Sequence, residues 1–400
     1  MKDRKMPTHA ENIVTTVVFC LILFAFSAAF FLVPDKDFSE QENRMLSTAP
    51  EFSVSALVSG EYSAGINEYF ADQFPLRDSF VGLKGLAEVA MLKMENNSVV
   101  LGSGGQLAVR NMYVTDGTAT DFYDAEKTSL MTGILKKFDA ELKNRGIDCA
   151  LLLPPRSIDV AVSAMPALLP VYRTEALFDQ LAAGLDGTGY IDMLQFYRDK
   201  YDAGEYVYYR TDHHWTTLGA YYAYVEIMRS FGMDWYGPEE FFKEEASDDF
   251  YGTTWSRSGF KFVGPDTIEL WKTDDDPGIT SVINDPTYTG GVITGFYDRD
   301  KLGTKDKYAV FLGGSYAHTT ISSNKGTREK LLLIKDSFGH ALAPFLARHF
   351  DIEMVDLTYA ETGINRYFEE YDFDKAVVVF NIENVIKTEY IGRLRISSQQ

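Results

Sequence analysis

From Ile13 to Val33 the chain runs IVTTVVFCLILFAFSAAFFLV, 21 residues without a charge. About 20 apolar residues cross a hydrocarbon core of about 30 Å, whereas the apolar region of a cleaved signal covers only about 7 to 15. Small residues at Ala25, Ser27, Ala28 and Ala29 offer a cleavage point, but Phe30, Phe31 and Leu32 carry the apolar run past it. An uncleaved single-pass anchor over 13–33 is therefore expected. Lys2, Arg4 and Lys5 precede the run and Asp35 and Asp37 follow it. That bias leaves residues 1–12 in the cytoplasm and 34–400 outside.

What remains is ordinary globular material. The whole chain is 46% hydrophobic and 24% charged, which excludes a mostly disordered or fibrous protein. Fifty-eight acidic residues against 38 basic ones give a formal charge of -20, a surface that repels phosphate backbones and argues against nucleic-acid partners. Cys20 lies in the apolar run and Cys149 is alone outside it, so neither a disulfide framework nor a zinc site can be built from cysteine.

The segment 34–97 reads as a stalk or N-terminal helical layer. Within it, 62–97 carries Phe80, Leu83, Leu86, Val89 and Leu92 at helical spacing, with Pro75 suited to a first turn. From Ser98 onward strands and helices alternate. Short apolar strands are expected at 148–153 (closed by Pro154 and Pro155), 190–192, 330–335 and 376–380. Helices are expected at 124–145 (stopped by Gly146), 175–185, 217–231 and 339–349. That alternation predicts an α/β fold with a mainly parallel sheet and flanking helices. The stretch 237–303, rich in Gly, Asp and Thr with β-like pieces such as 267–271, reads as a β-rich insertion in the domain 98–400.

Two short motifs carry chemistry. In the first, Asp212-His213-His214-Trp215 stands just before a helix. An Asp two residues before a His can accept its Nδ1–H and leave Nε2 as a base; the same letters also fit a capping Asp beside structural histidines. In the second, LLLIKDS, an apolar strand ends at Lys335 and Asp336 and places Ser337 at a strand-to-helix turn. Backbone N–H groups there point toward a developing oxyanion, although Ser is also an ordinary N-cap at such a place.

Taken in order with further motifs, the two resemble the DHHW family, whose signature is Asp212–Trp215. The chain is similar also to the proteins that O-acetylate alginate, which are SGNH-hydrolase-like with Asp-x-His placed before the Ser. The resemblance covers nearly all of 34–400 through SEQENRML (39–46), ADQFPLRDSF (71–80), TDHHW (211–215), FYGTTWSRSG (250–259), FLGGSYA (311–317), KDSFGHALAPFLA (335–347) and VDL (355–357). It implies Ser337 as nucleophile, His214 as general base and Asp212 as the orienting carboxylate, leaving His213 without a role. His340 is a rival base without an Asp nearby in sequence. The usual Gly and Asn of an SGNH oxyanion hole have no Gly-x-Asn-Asp counterpart here. Asn381 is the substitute for the Asn, with Asn384 behind it, and Gly363 lies too far out. Arg156, after the two prolines, is a candidate for steadying an anionic or hydroxylated substrate. Ser256, Arg257 and Ser258 are candidates for the rim of the cleft.

The function implied is that of an extracytoplasmic serine esterase or O-acyltransferase, of acetyl groups, acting on a cell-envelope or secreted polysaccharide. It needs no metal or organic cofactor. Because acetyl-CoA is absent outside the cell, a membrane-bound acyltransferase is the expected partner and donor. Two readings compete. One is a carbohydrate-binding or scaffolding protein with an idle site. The other is a metal-dependent phosphoesterase using Asp212, His213 and His214, for which His318, His340 and His349 are the only further histidines of 34–400.

Overall fold

In a computed structural model, the structure describes residues 9–110, 114–115, 118–119, 124–167, 169, 174–285, 287–360, 363–386 and 388–395. Lys2, Arg4 and Lys5, on which the expected orientation rests, lie outside them. The chain forms two compact units, Met1–Met91 and Leu92–Gln400, so the division falls a few residues before the expected 97/98.

The second unit is built on one eight-stranded sheet. Its strands are β1 (Asp148–Leu152), β2 (Tyr190–Ile191), β3 (Ile279–Ile283), β4 (Val292–Thr294), β5 (His318–Ser323), β6 (Lys330–Lys335), β7 (Asp351–Asp356) and β8 (Lys375–Val379). Across the sheet the order is β4-β3-β5-β7-β6-β8-β1-β2. The five strands from β7 to β2 are parallel, and β5, β3 and β4 extend the sheet antiparallel. Its principal helices are α1 (Ala125–Asn144), α2 (Thr174–Gly184), α3 (Leu194–Asp202), α4 (Thr217–Ser230) and α5 (Gly339–Leu346).

The apolar runs of the central strands follow from burial on both faces. In β6, Leu331 and Leu333 enter one core with Tyr224 of α4 and Phe345 of α5. Leu332 and Ile334 point the other way, into a second core with Leu135 of α1 and Leu177 of α2. β8 divides likewise, Val377 and Val379 against Ala376 and Val378. With helices on both faces, the open edge is the C-terminal one, where α/β folds place their ligands. There β6 delivers Ser337, β8 delivers Asn381, and β1 delivers Pro154, Pro155 and Arg156.

Two expectations need correction. The stretch 237–303 is only half an insertion. Phe242–Phe250 and Asp266–Lys272 form a separate antiparallel ribbon enclosing a short helix, Thr253–Arg257, but β3 and β4 belong to the main sheet. Their alternating burial, seen as Ile279, Ser281 and Ile283 inward, is that of strands with one face covered, β4 at the sheet edge and β3 next to it, and such alternation looks like loop in a Thr- and Asp-rich sequence. In the first unit, the helical pattern of 62–97 is two helices, Glu61–Asp72 and Arg77–Ala90, and the chain beyond pairs as strand at Glu95–Asn96. Pro75 lies in the break, ahead of an N-cap, Leu76, with φ 61°, because the residue before a proline resists helical geometry. That unit begins with the 24-residue helix His9–Leu32, none of whose residues is buried and which is long and apolar enough to cross a membrane.

Candidate active site

The site is assembled by two turns that are distant in sequence. After β6, Ser337 sits in the turn leading to α5. Asp336 fixes this turn: its carboxylate accepts from Phe338 N (3.0 Å), Asn381 N (2.7 Å) and Asn384 Nδ2 (2.8 Å), tying the end of β6 to the end of β8. Burial pushes the Asp336 carboxyl up to about 6 against those three donors. The N–H of Ser337 has no hydrogen bond among the described residues.

The second turn precedes α4. Asp266, fully buried at the foot of the ribbon, accepts from Thr211 N (2.7 Å) and Thr211 Oγ1 (2.6 Å). Thr216 caps α4 by accepting from Gly219 N (3.2 Å). Held at both ends, the turn presents Asp212 and His214 inward.

The three residues then meet in series. His214 Nε2 lies 2.6 Å from Ser337 Oγ, and His214 Nδ1 lies 2.6 Å from Asp212 Oδ1. Asp212 also takes His214 N at Oδ1 (3.0 Å), and Thr253 N (2.7 Å) and Thr253 Oγ1 (2.9 Å) at Oδ2. Burial opposes its charge, but His213, His214 and these donors hold its carboxyl far below the usual range. With a carboxylate at Nδ1, the ring proton belongs on Nδ1 and Nε2 is free to accept. The His214 ring is stacked on Tyr308 at 4.0 Å between centroids, nearly parallel, with His213 at 3.8 Å.

His213 is connected rather than idle. Its Nδ1 lies 2.9 Å from Thr253 Oγ1, so a chain runs from the His213 N–H through the Thr253 hydroxyl to Asp212. Burial and the neighbouring His214 push His213 below its ordinary value, opposed by Asp212, and a third of its side chain stays exposed. Thr253 and Gly252 were missed by sequence reasoning, although they stand in the run FYGTTWSRSG (250–259). A Cβ on Gly252 would overlap the Asp212 carboxylate, so glycine is what lets the Thr253 N–H approach.

The other candidates fall elsewhere. Asn381 is not free to serve an oxyanion: its Nδ2 donates to the carbonyls of Pro154 (3.2 Å) and Pro155 (3.5 Å), and its Oδ1 accepts from Glu383 N. It locks the ends of β8 and β1 together. Asn384 is held by Asp336. Arg156 is buried, its guanidinium bonded twice to Asp159 at 2.8 and 2.6 Å, with Glu383 4.0 Å away. With Val109, Ser157, His213, Asn381 and Glu383 it lines a small recess. Glu383 was not foreseen; burial pushes its carboxyl up to about 7 against the pull of Arg156. His340 is no rival base. Its Nε2 faces the ammonium of the fully buried Lys335 at 2.7 Å, while Lys335 also pairs with Asp356 at 2.8 Å. Burial and Lys335 push His340 well below its ordinary value. Ser256 and Ser258 are buried and Arg257 bonds Asn97 O, and none of the three is among the residues lining the recess.

Asp212, His213 and His214 also offer one ligand atom each within 4.8 Å of one another, compact enough for a metal ion. In the hydrogen-bonded arrangement both Asp212 oxygens, both His214 nitrogens and His213 Nδ1 already have protein partners. Binding an ion would mean breaking several of these contacts.

A sheet edge with a strand-end Ser facing a His-Asp pair from an upstream turn defines an SGNH-hydrolase-like α/β protein. Known proteins agree. Residues 112–249 match the family model described as "SGNH hydrolase-like domain, acetyltransferase AlgX". Residues 183–356 match the model described as "DHHW protein". Among solved structures, a DHHW family protein from Eubacterium siraeum is 20% identical, covering 75% of this chain and 99% of its own, with a TM-score of 0.58. PatB1 of Bacillus cereus, solved with a sulfonyl adduct, is 15% identical, covering 75% and 97%, with a TM-score of 0.58. At these identities the likeness is one of fold. No curated protein matches the chain in sequence.

Proposed function

We propose that this chain is an extracytoplasmic serine O-acyltransferase or esterase, handling acetyl groups on a cell-envelope or secreted polysaccharide. The observation that carries the proposal is the unbroken series Ser337 Oγ, His214 Nε2, His214 Nδ1, Asp212 Oδ1, with both contacts at 2.6 Å. Nucleophile and base within hydrogen-bond reach, and the base oriented by a third group, are what covalent acyl transfer needs. The acetyltransferase named in the matched family model supports the acyl group. The sulfonyl adduct on PatB1 supports an activated hydroxyl, with which sulfonyl reagents react.

In this reading Ser337 Oγ attacks the donor carbonyl while His214 Nε2 takes its proton. Asp212 keeps the ring in the right tautomer and stabilises the imidazolium. The Ser337 N–H faces the forming oxyanion. The leaving group takes the proton back from His214 and departs, leaving acyl-Ser337. A sugar hydroxyl, or water, then gives its proton to His214 and attacks the acyl carbon, and Ser337 recovers its proton as the product leaves. The donor outside the cell is supplied by a membrane-bound acyltransferase, and the helix His9–Leu32 anchors the chain beside it.

The test is labelling of the purified full chain with a sulfonyl fluoride. The adduct is expected on the Ser337 peptide, with slow turnover of an activated acetyl ester. Ser337→Ala and His214→Ala should each abolish both, and chelator should change neither. No adduct and no turnover in folded wild type would favour an idle binding site. Inhibition by chelator with Ser337→Ala still active would favour a metal phosphoesterase.

A further inference from the structure

We propose that the helices Glu61–Asp72 and Arg77–Ala90 lie in the outer interface of a lipid bilayer, as a collar around the exit of the anchor. Phe70, Phe74, Leu76, Phe80 and Leu83 would then be immersed among acyl chains. The proposal rests on reading His9–Leu32 as membrane-spanning.

The depth follows from ring contacts within the first unit. Phe26 of the span stacks on Phe74 at 5.5 Å and meets Phe80 at 5.7 Å, and Phe30 stacks on Phe70 at 4.6 Å. Phe26 stands six residues before Leu32, the last residue of the helix, which at about 1.5 Å per residue is about 9 Å along the axis. Whatever touches Phe26 is therefore carried about 9 Å below the end of the span. Interfacial helices bury their apolar faces about 5 to 10 Å into the boundary between headgroups and acyl chains. A bilayer that surrounds Phe26 must also meet Phe74 and Phe80.

The exposed faces match that medium. Phe70, Phe74, Leu76, Phe80, Leu83 and Leu86 are between 43% and 66% exposed. Phe80, Leu83 and Leu86 recur every third residue along one helix, as on an amphipathic face. So large a continuous apolar surface is out of place in water. A groove between span and collar, lined by Ala25, Phe26, Phe74 and Leu76 together with Asp72, Gln73 and Arg77, gives room for an acyl chain from the outer leaflet.

The polar groups beside that face are bonded to one another. Arg44 bonds Asp72 with both terminal nitrogens, one of them at 2.8 Å, and its Nε meets Glu42 at 2.8 Å. Arg77 meets Glu42 at 2.8 Å, Ser47 N donates to Asp72 at 2.9 Å, and Gln73 donates to the carbonyls of Lys36 and Ser47. These residues come from or adjoin SEQENRML and ADQFPLRDSF, two motifs of the family resemblance that the catalytic reading leaves unused. Their chemistry is a latch: it fixes the break between the helices to the segment that leaves the membrane, and so sets the height of the collar.

The test uses the full chain in phosphatidylcholine vesicles with a thiol-reactive fluorophore at one position at a time. In a Cys20→Ser, Cys149→Ser background, a label at Leu83→Cys should be quenched by lipid spin-labelled near the top of its acyl chain. Aqueous iodide should quench it at least about threefold less than a label at the exposed Lys137→Cys. Equal iodide quenching at both positions overturns the collar. Shielding of position 83 from both quenchers also overturns it, in favour of a protein partner on that face. A label on native Cys20, within the span, separates the two claims. If deep spin-labelled lipid quenches Cys20 but lipid labelled near the top of its acyl chain leaves position 83 unquenched, the collar alone fails. If iodide reaches Cys20, the anchor fails with it.

Discussion

Replacing Asp212 by Asn keeps the volume of the side chain and removes its charge, and the hydrogen bonds around it determine the consequences. Four hydrogens point at the carboxylate: those of His214 N and Nδ1 at Oδ1, and of Thr253 N and Oγ1 at Oδ2. An amide has one oxygen to offer. With that oxygen toward His214, the NH2 group opposes the Thr253 N–H, a buried clash of donors costing about 1–3 kcal/mol. With the NH2 toward His214, the ring escapes only by moving its proton to Nε2, and Nε2 can then no longer take the proton of Ser337. Even in the first orientation the imidazolium formed during attack loses its counter-charge. At an effective dielectric of about 20 and about 4 Å, two unit charges attract by about 4 kcal/mol, which is about a thousandfold in rate. The second orientation adds to this, toward the ~10⁴-fold known for the equivalent change in a serine protease.

Asp212→Asn is therefore expected to lower kcat for an activated acetyl ester by about 10³- to 10⁴-fold, with KM little changed because Asp212 does not line the recess. Sulfonyl fluoride labelling of Ser337 should slow in parallel. The circular dichroism and melting curve of the variant must show it folded, since a buried carboxylate has been altered. A folded variant that keeps more than a tenth of the wild-type rate in both assays would refute the assignment of Asp212 and the tautomer argument together.

Thr253→Val removes the hydroxyl that joins His213 to Asp212 but keeps the backbone donor. A loss of about tenfold in kcat is expected, worth one hydrogen bond to a charged group, and an unchanged rate would show the link to be idle. Gly252→Ala places a methyl group on the Asp212 carboxylate and should lower turnover as severely as Asp212→Asn; wild-type rates would mean that the turn yields. Glu383 supplies a pH prediction. Its folded carboxyl is raised to about 7, so the folded state keeps a proton that the unfolded chain releases near pH 4. This contribution to stability is complete below about pH 4 and is lost as pH rises through about 7, on the order of 3 kcal/mol in all. Glu383→Gln cannot ionise, so its melting temperature should fall less than that of wild type between pH 5 and pH 8, and parallel curves would contradict the shift.

The parallel half of the fold was readable because its strands announce themselves. LLLI in β6 and VVV in β8 are continuous apolar runs, as strands covered on both faces must be, and each is followed or preceded by a helix with its own stop signal. The antiparallel half was hidden for the opposite reason. β3 reads ITSVI and β5 reads HTTISS, half polar because they approach the sheet edge, and they lie among Gly, Asp and Thr that also make turns. At the site, residues adjacent in sequence were found and residues adjacent only in space were not. Asp266, Thr253 and Glu383 reach the site from a ribbon, a short helix and the helix Ile382–Ile386 that follows β8. Nothing in the local sequence of an Asp, a Thr or a Glu tells that its partner stands 41 or 55 residues away. Asn381 was misjudged because a strand-end Asn suits an oxyanion hole and a turn lock equally, and only the positions of the Pro154 and Pro155 carbonyls decide between them.

The four residues of the motif act as one mechanical unit. Asp212 orients His214. His213 reaches Thr253, whose hydroxyl completes the shell of donors that keeps Asp212 ionised. His214 meets Ser337. Trp215 closes the unit from the other side: its Nε1 donates to Phe338 O at 3.2 Å, on the residue that follows the nucleophile, and its ring packs against Phe338 at 5.2 Å. Tyr308 reaches the same turn, with its hydroxyl 3.4 Å from Ser337 O and its ring under His214. His214 and Ser337 come from turns 123 residues apart, so a contact of 2.6 Å between them cannot be set by either turn alone. The tryptophan and the tyrosine each touch the turn of Ser337 and the turn of His214 at once. On this argument Trp215 and Tyr308 are positioning residues, and a Trp215→Phe change, which keeps the packing but loses the donor to Phe338 O, would lengthen the gap between His214 and Ser337 without touching either.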